Sequence, residues 1–248
     1  MTFAMIGLLF AAGFLSGAVN AIAGGGTFLT FGALTLAGIP PISANATSSI
    51  VQFPGYVTST LAYRKEIAKS WRSAIALTIV SALGGLGGAL ILLALDNPSF
   101  RALVPWLLAG ATAIFAAGPF LKPKASEERS ASSLSSLVGQ FVTSIYGGFF
   151  GAGMGIMMLA VLGLTTGGSY HHLNALKNLL ATVIAAVAIV VFVSGGVVAW
   201  PEAVVMIPAV AAGGYSGVWL ARRVPQGIMR MIVVAVGVAL TIYYFVTG

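Results

Sequence analysis

The chain alternates between long uncharged, apolar stretches and short clusters of charged residues. A helix that crosses a bilayer needs about 20 largely apolar residues, and six of the stretches approach or reach that length. These lie at 43–63, 73–95, 102–121, 178–199, 203–221 and 231–247. We therefore expect an all-α polytopic membrane protein.

Two further apolar stretches, 27–38 and 156–166, are too short to span, and each follows a cluster of glycines at 24–26 or 151–155. Glycine lets the backbone unwind without steric cost. Within a bilayer, unwound backbone is tolerated only where it packs on protein or lines a cavity. The pattern predicts a helix broken inside the membrane at each cluster, with the short helices beginning near Thr27 and Ile156.

Composition excludes the other broad classes of protein. Apolar residues make up 58% of the chain and charged residues 7%, whereas a soluble domain carries about 25% charge. The mean hydropathy of +1.02 also excludes disorder. With no cysteine, disulfides, thiolate metal sites and cysteine nucleophiles are excluded. The apolar start of the chain has no basic flank, so we interpret it as mature membrane structure rather than a signal peptide.

The sequence also predicts an internal duplication. A shift of 129 residues, without a gap, superimposes glycines, asparagines, a tryptophan and an arginine. The matches include Gly24 with Gly153, Gly26 with Gly155, Asn45 with Asn174, Trp71 with Trp200, and Arg101 with Arg230. We expect a first repeat at 1–119, a polar cytoplasmic linker at 120–133 and a second repeat at 134–248.

Basic residues predict the orientation of the two repeats, because they concentrate on the cytoplasmic side. If each glycine-broken segment is a re-entrant hairpin, three spanning helices remain per repeat. Four basic residues at 64–72, three at 122–129 and three at 222–230 then share one side, against Arg101 alone. With single crossings instead, the split is seven to four. The first arrangement makes the repeats inverted, with both termini periplasmic, as in many secondary transporters.

The candidate site is built from the glycine breaks and the polar starts of the following helices. Two helix N-termini that approach each other from opposite faces offer unpaired N–H groups and positive dipole ends, which suit an anion. The expected substrate-binding residues are Gly24, Gly25, Gly26, Thr27, Asn45, Thr47, Ser48, Ser49, Gln52, Gly153, Gly155, Asn174, Lys177 and Asn178. The alternative for glycines is tight helix packing, which we favour for the pairs 13/17, 84/88, 147/151 and 213/217.

Lys177 is the one basic residue within an expected membrane helix, which makes it a functional candidate. Its alternative is snorkelling to the headgroups. His171 and His172 are adjacent and point about 100° apart on a helix, so we expect no metal site there; a proton-linked role for either histidine stays open.

Several absences narrow the function further. All five acidic residues lie in expected loops or helix ends, so the chain has no carboxylate proton relay in the membrane. No P-loop, HExxH motif or nucleophile elbow is present. We therefore expect that the protein is not an enzyme and has no cofactor or metal. We also expect no nucleic-acid partner, because the excess of basic residues is explained by their concentration on one side of the membrane.

The glycines at 13, 17 and 24–26, the segment 44–49 (Ala-Asn-Ala-Thr-Ser-Ser) and their degenerate copies in the second half resemble the TauE/SafE sulfite exporter family. The resemblance covers essentially the whole chain. It implies a multi-pass carrier of the bacterial inner membrane for sulfite, organosulfonates or related anions. A carrier for another small anion such as a carboxylate, or a non-transporting scaffold subunit, remains the alternative. The partners would be the substrate anion, the lipid bilayer and either a proton or sodium as coupling ion, in a monomer or homodimer.

Overall fold

The computed structural model describes residues 2–22, 25–69, 71–117, 120, 133–167, 169–220 and 226–247. Within these ranges the regular structure is helical throughout, with no strand. The first half contains α1 (Phe3–Ile22), α2 (Gly26–Leu36), α3 (Pro41–Ala62), α4 (Arg64–Lys69), α5 (Trp71–Ala94) and α6 (Asn97–Ala117). The second half contains α7 (Leu134–Phe149), α8 (Met154–Thr165), α9 (Tyr170–Ser194), α10 (Trp200–Leu220) and α11 (Gln226–Thr247).

In the described part of the chain, five helices contain a segment long and apolar enough to cross a bilayer: Phe3–Asn20, Ala74–Ala94, Asn97–Ala117, His172–Ser194 and Arg230–Thr247. The expectation of an all-α, multi-pass membrane protein is therefore confirmed. Gly24 lies outside the described residues. Residues 121–132, which make up nearly all of the expected linker and carry its cluster of charges, also lie outside them.

Some boundaries differ from the expected ones. Helix α9 begins eight residues earlier than the apolar stretch at 178, because its N-cap Ser169 accepts a hydrogen bond from the backbone N–H of His172. It ends at Ser194, before Gly196, which has a φ of 67°. The short helix α4 was not anticipated, since its six residues are mostly charged.

Both expected helix breaks are present and are made by glycine. Gly25, with φ 85°, is the N-cap of α2, and Gly153, with φ 75°, is the N-cap of α8. These left-handed conformations are open to glycine at little cost. Helices α2 and α8 have 11 and 12 residues, which corresponds to about 16–18 Å, roughly half the thickness of a bilayer. Helix α1, with 20 residues, is long enough to cross it.

The two halves pack on each other through corresponding helices. Helix α1 packs on α10 and α7 packs on α5; α2 contacts α11 and α8 contacts α6. Helix α3 packs on α9, and α6 packs on α11. The first helix of each half thus lies against a helix of the other half, and the halves interlock.

Glycines allow the closest of these contacts. A Cβ atom at Gly88 would overlap the carbonyl oxygen of Ile145 in α7, and one at Gly213 would overlap that of Phe14 in α1. A Cβ atom at Gly17 would likewise overlap the carbonyl oxygen of Val210, and one at Gly84 would lie 2.8 Å from that of Phe141. The packing interpretation is therefore confirmed for Gly17, Gly84, Gly88 and Gly213.

This packing leads to a prediction on neighbouring glycines of α5. Gly88→Ala should lower the free energy of unfolding by about 1–3 kcal/mol, because the new methyl group forces α5 and α7 apart. Gly87, whose Cβ would meet nothing within 4 Å, is the matched control. Gly87→Ala should stabilise by about 0.5–1 kcal/mol through helix propensity. Thermal unfolding in detergent, followed by circular dichroism, measures both; equal stability of the two variants would contradict the packing.

Aromatic side chains hold α2 and the end of α7 at the centre of the molecule. Phe31 in α2 lies edge-on to Phe150 with ring centroids 5.6 Å apart, and Phe28 lies edge-on to Phe115 of α6 at 6.2 Å. All four rings are buried. Edge-to-face pairs of this kind add about 0.5–1.5 kcal/mol each to the burial of their area. They fix the short helix α2 against α6 and the end of α7.

The turn between α5 and α6 is capped by its own side chains. Asp96 Oδ1 accepts a hydrogen bond from the backbone N–H of Ser99 at 2.9 Å, and hydrogen bonds from Ser99 hold the pKa of this exposed carboxyl below its usual value. Asn97 Oδ1 accepts from the backbone N–H of Ile42 at 3.1 Å, which ties the start of α3 to this turn. The acidic side chain therefore serves the loop.

Candidate anion site between the two glycine breaks

A small cavity lies where the two glycine breaks meet the middle of α3 and α9. Its volume is about 20 Å³, enough for one or two water molecules. It is lined by Thr27 of α2, by Ser49, Gln52 and Tyr56 of α3, by Gly147, Gly151 and Met154 around the second break, and by Ile184, Ala185 and Ala188 of α9. Residues from both breaks thus reach one site.

The start of α2 is held against α1 by a chain of hydrogen bonds. The Ser16 hydroxyl donates to the carbonyl oxygen of Gly26 at 2.7 Å. Gln52 Nε2 donates to the Ser16 hydroxyl in turn. A Cβ atom at Gly26 would overlap the Ser16 carbonyl oxygen, so only glycine allows this approach. Thr27, the next residue, then reaches the cavity.

Polar residues of α3 fall on two faces with different roles. Ser49, Gln52 and Tyr56 follow one another at intervals of three and four residues, so they share the face that lines the cavity. Ser48 points to α2 instead, where its hydroxyl lies 2.5 Å from that of Thr30. Ser48 is buried and serves the α2–α3 contact.

Asn45 lies far from the second break in the sequence but bonds directly to the chain beside it. Its Nδ2 donates to the carbonyl oxygen of Phe149 at 2.8 Å, at the last residue of α7. The Ser49 hydroxyl donates to the Asn45 carbonyl oxygen at 3.1 Å, within α3. Asn45 therefore ties the helix that follows the first break to the chain entering the second.

Thr47 faces away from the cavity. Its hydroxyl accepts a hydrogen bond from the backbone N–H of Ala199 at 2.9 Å, just before α10 begins. The side chain is fully buried. The structure thus gives Thr47 a contact that fixes the α9–α10 turn, and the cavity is lined without it.

At the second break, three hydrogen bonds hold the turn of the backbone between α7 and α8. The backbone N–H groups of Phe150 and Gly151 donate to the Tyr146 carbonyl oxygen at 2.8 and 3.2 Å. The Tyr146 hydroxyl donates to the Ala152 carbonyl oxygen at 2.7 Å. Gly153 lies beside Ala111 of α6. Gly151 lines the cavity, whereas Gly153 and Gly155 do not.

On α9, the three expected polar residues lie outside the cavity wall. Asn174 and Asn178 are buried, and Lys177 is half-buried beside Gly155. Lys177 lies seven residues before Ile184, on the same face of the helix and about 10 Å along its axis. Within the described residues it has no hydrogen-bond or ion-pair partner. The side chain of His171 lies outside the described part, and His172 is half-buried.

Of the expected residues, the cavity thus unites Thr27, Ser49 and Gln52. Gly25 and Gly26 form the break that precedes Thr27, and they are not part of the lining. Sequence reasoning missed Tyr56, although its spacing from Gln52 continues the polar face of α3. It also missed the wall formed by α9, whose isoleucine and alanines carry no chemical signal, and Gly147, which was interpreted as a packing residue.

The lining offers dipoles rather than charges or reactive groups. The N-terminal turns of α2 and α8 contribute residues to the same cavity, and helix N-termini suit an anion through their N–H groups and dipole. The N–H groups of Phe28, Met154 and Ile156 already donate to backbone carbonyl oxygens at 3.2, 3.2 and 3.0 Å, so the other N–H groups of these first turns would have to bind it. No residue of the lining is acidic or basic. In the described part of the chain no three metal-ligating side chains come together. The arrangement favours binding of a small anion over catalysis.

Comparison with known proteins agrees with this architecture. The chain matches the family described as Sulfite exporter TauE/SafE over residues 9–244. It is 27% identical over 244 residues to a "Probable membrane transporter protein" of Haemophilus influenzae, with 96% of this chain and 93% of the relative covered. It is equally identical over 240 residues to a "Probable membrane transporter protein YfcA" of Escherichia coli K12, with 96% and 88% covered. The chain therefore belongs to the TauE/SafE sulfite exporter family and is a multi-pass membrane transporter, not an enzyme.

Proposed function

We propose that this protein is a secondary carrier for a small sulfur oxyanion, sulfite or an organosulfonate. The observation that carries the proposal is a cavity lined by residues from both glycine breaks. The substrate would bind there and reach either side of the membrane by alternating access. The family's description as sulfite exporters supports the substrate class.

Electrostatics support an anion over a cation at this place. Each helix N-terminus is equivalent to about half a positive elementary charge, so two of them offset about one negative charge. A carrier must also release its substrate, and dipoles bind less tightly than a buried salt bridge would. A site without fixed charge in its lining suits that requirement.

We also infer that the halves 1–119 and 134–248 are repeats inverted in the membrane, with the linker cytoplasmic and both termini periplasmic in a bacterial inner membrane. The reciprocal packing of α1 on α10 and α7 on α5 supports this arrangement. Arg101 supports the orientation: it donates to the Thr247 carbonyl oxygen at 2.7 Å, so it lies beside the C-terminal end of α11. Arg101 was the one basic residue expected on that side.

Alternating access would require the cavity to change shape. The space that it now offers, about 20 Å³, suits one or two water molecules, so we expect the site to widen when a sulfur oxyanion binds. The breaks at Gly25 and Gly153 join helices of different length and packing, and they are the natural points of bending. Asn45, through its bond to the Phe149 carbonyl oxygen, would couple movement at one break to the other.

Flux into proteoliposomes tests the function. Under anaerobic conditions, proteoliposomes that contain the purified protein should take up sulfite and methanesulfonate faster than protein-free liposomes do. They should also take up these two anions faster than they take up acetate. Asn45→Ala should slow uptake at least tenfold, because the second break loses its anchor. Thr58→Val, on the exposed face of the same helix, is the matched control and should transport normally. Uptake of acetate alone would favour a carboxylate carrier, and no uptake of any anion would favour a scaffold.

A further inference from the structure

The amide oxygen of Gln52 receives no hydrogen bond from any residue that the structure describes. The side chain is 1% exposed and lines the cavity, yet among the described residues nothing donates to its Oε1. A buried acceptor left without a donor costs about 1–3 kcal/mol. Proteins rarely retain such a group unless something completes it.

The hydrogen-bond network determines which end of the amide is left over. The Ser16 hydroxyl has a single proton, and it donates that proton to the Gly26 carbonyl oxygen at 2.7 Å. Toward Gln52 it therefore offers only a lone pair, so the group that meets it must be Nε2. The other end, Oε1, is the acceptor that no described group reaches.

One neighbouring hydroxyl group of the lining is engaged elsewhere, because Ser49 donates to the Asn45 carbonyl oxygen at 3.1 Å. Among the described residues, no group donates to Gln52 Oε1. A ligand that brings its own donor into the cavity would complete this acceptor.

From these contacts we propose that the site binds a monoanion that carries its own O–H or N–H donor, directed at Gln52 Oε1. The proposal rests on the proposed function and refines its substrate class. The two helix N-termini require negative charge on the ligand, while Gln52 requires a hydrogen. Protonated sulfite and hydroxyl- or amino-bearing sulfonates meet both demands. A fully deprotonated anion would place an oxygen lone pair against that of Gln52.

A sodium ion could also complete Oε1, but it would face two positive helix ends. Water could do so as well, and the cavity has room for it. If water completes Oε1, the site should show no preference for an anion that carries a donor. If sodium completes it, anion binding should depend on sodium. The experiment therefore separates them from the proposal.

Two sulfonates of equal charge and nearly equal shape provide the test. Hydroxymethanesulfonate carries a hydroxyl group where ethanesulfonate carries a methyl group. Isothermal titration calorimetry on the purified protein, in potassium and in sodium buffers, should give at least tenfold tighter binding of hydroxymethanesulfonate in both. Gln52→Met, which lacks the acceptor, should bind the two with equal affinity.

The outcomes are distinct. Equal affinities in the wild-type protein would overturn the proposal even if Gln52→Met does not fold, because that comparison needs no variant. Tight binding of ethanesulfonate only in sodium would assign Oε1 to a cation and also overturn it. If neither of the two sulfonates nor sulfite binds, the result would instead count against the proposed function.

Discussion

Replacing Gly26 by alanine is expected to abolish anion flux in proteoliposomes. The added methyl group would overlap the Ser16 carbonyl oxygen in α1 and lie 2.7 Å from the Ser16 hydroxyl. Backbone on both sides of this contact leaves little room for relaxation. The start of α2 must then move away from α1, which breaks the hydrogen bonds among Gly26, Ser16 and Gln52. Both the dipole end of α2 and the orientation of Gln52 are lost together.

Gly155 is the control for this prediction, since the 129-residue shift matches it to Gly26. Its Cβ would lie 3.7 Å from Lys177 Cδ, an ordinary van der Waals contact. Gly155→Ala should therefore transport at close to the wild-type rate. Both variants need a monodisperse elution profile before flux is compared. Normal flux in Gly26→Ala would show that the close approach of α1 and α2 is not required for transport.

Replacing Lys177 by methionine is expected to weaken anion binding about tenfold. The residue is half-buried on α9, about 10 Å along the helix from the cavity wall. A unit charge at that distance contributes about 1.7 kcal/mol at an effective dielectric constant of 20, which corresponds to a little more than tenfold in affinity. The methionine side chain keeps the length and the apolar stem of lysine, so packing beside Gly155 is preserved.

Two controls accompany this variant. Lys177→Arg keeps the charge and should bind the anion with close to wild-type affinity. Lys65→Met removes one positive charge from exposed α4, where solvent screening makes the long-range contribution small. Titration calorimetry with a sulfonate compares all three. If Lys177→Met and Lys65→Met weaken binding equally, Lys177 acts only through the net charge of the protein.

The fold could be predicted in large part from the sequence, because the bilayer restricts the possible structures. Apolar stretches of about 20 residues form spanning helices there, and four of the six predicted stretches coincide with such segments of the described chain, in α5, α6, α9 and α11. The fifth segment lies in α1, outside the six, and the stretch in α3 is not among them. The glycine clusters located both breaks to within two residues of the start of α2 and α8. Short α4 escaped prediction because six mostly charged residues carry no apolar pattern.

The site was predicted less completely, because side-chain direction depends on neighbours. Asn45, Thr47 and Ser48 are all polar residues at the start of one helix, and nothing in the sequence separates them from Ser49 and Gln52. In the structure the first three bond to α7, to the α10 turn and to α2. Only Ser49 and Gln52 remain for the cavity. The helix rotation that divides them follows from packing.

Taken alone, the sequence determined that this is a helical membrane protein with two glycine-broken helices, because hydropathy and the backbone freedom of glycine act locally. Tertiary structure alone decided which helices pack together and that both breaks open on one cavity. It also decided which atom of Gln52 is left without a partner, since that depends on where Ser16 of α1 directs its single proton. Contacts between residues far apart in the chain carry no local signal, and the function proposed here depends on those contacts.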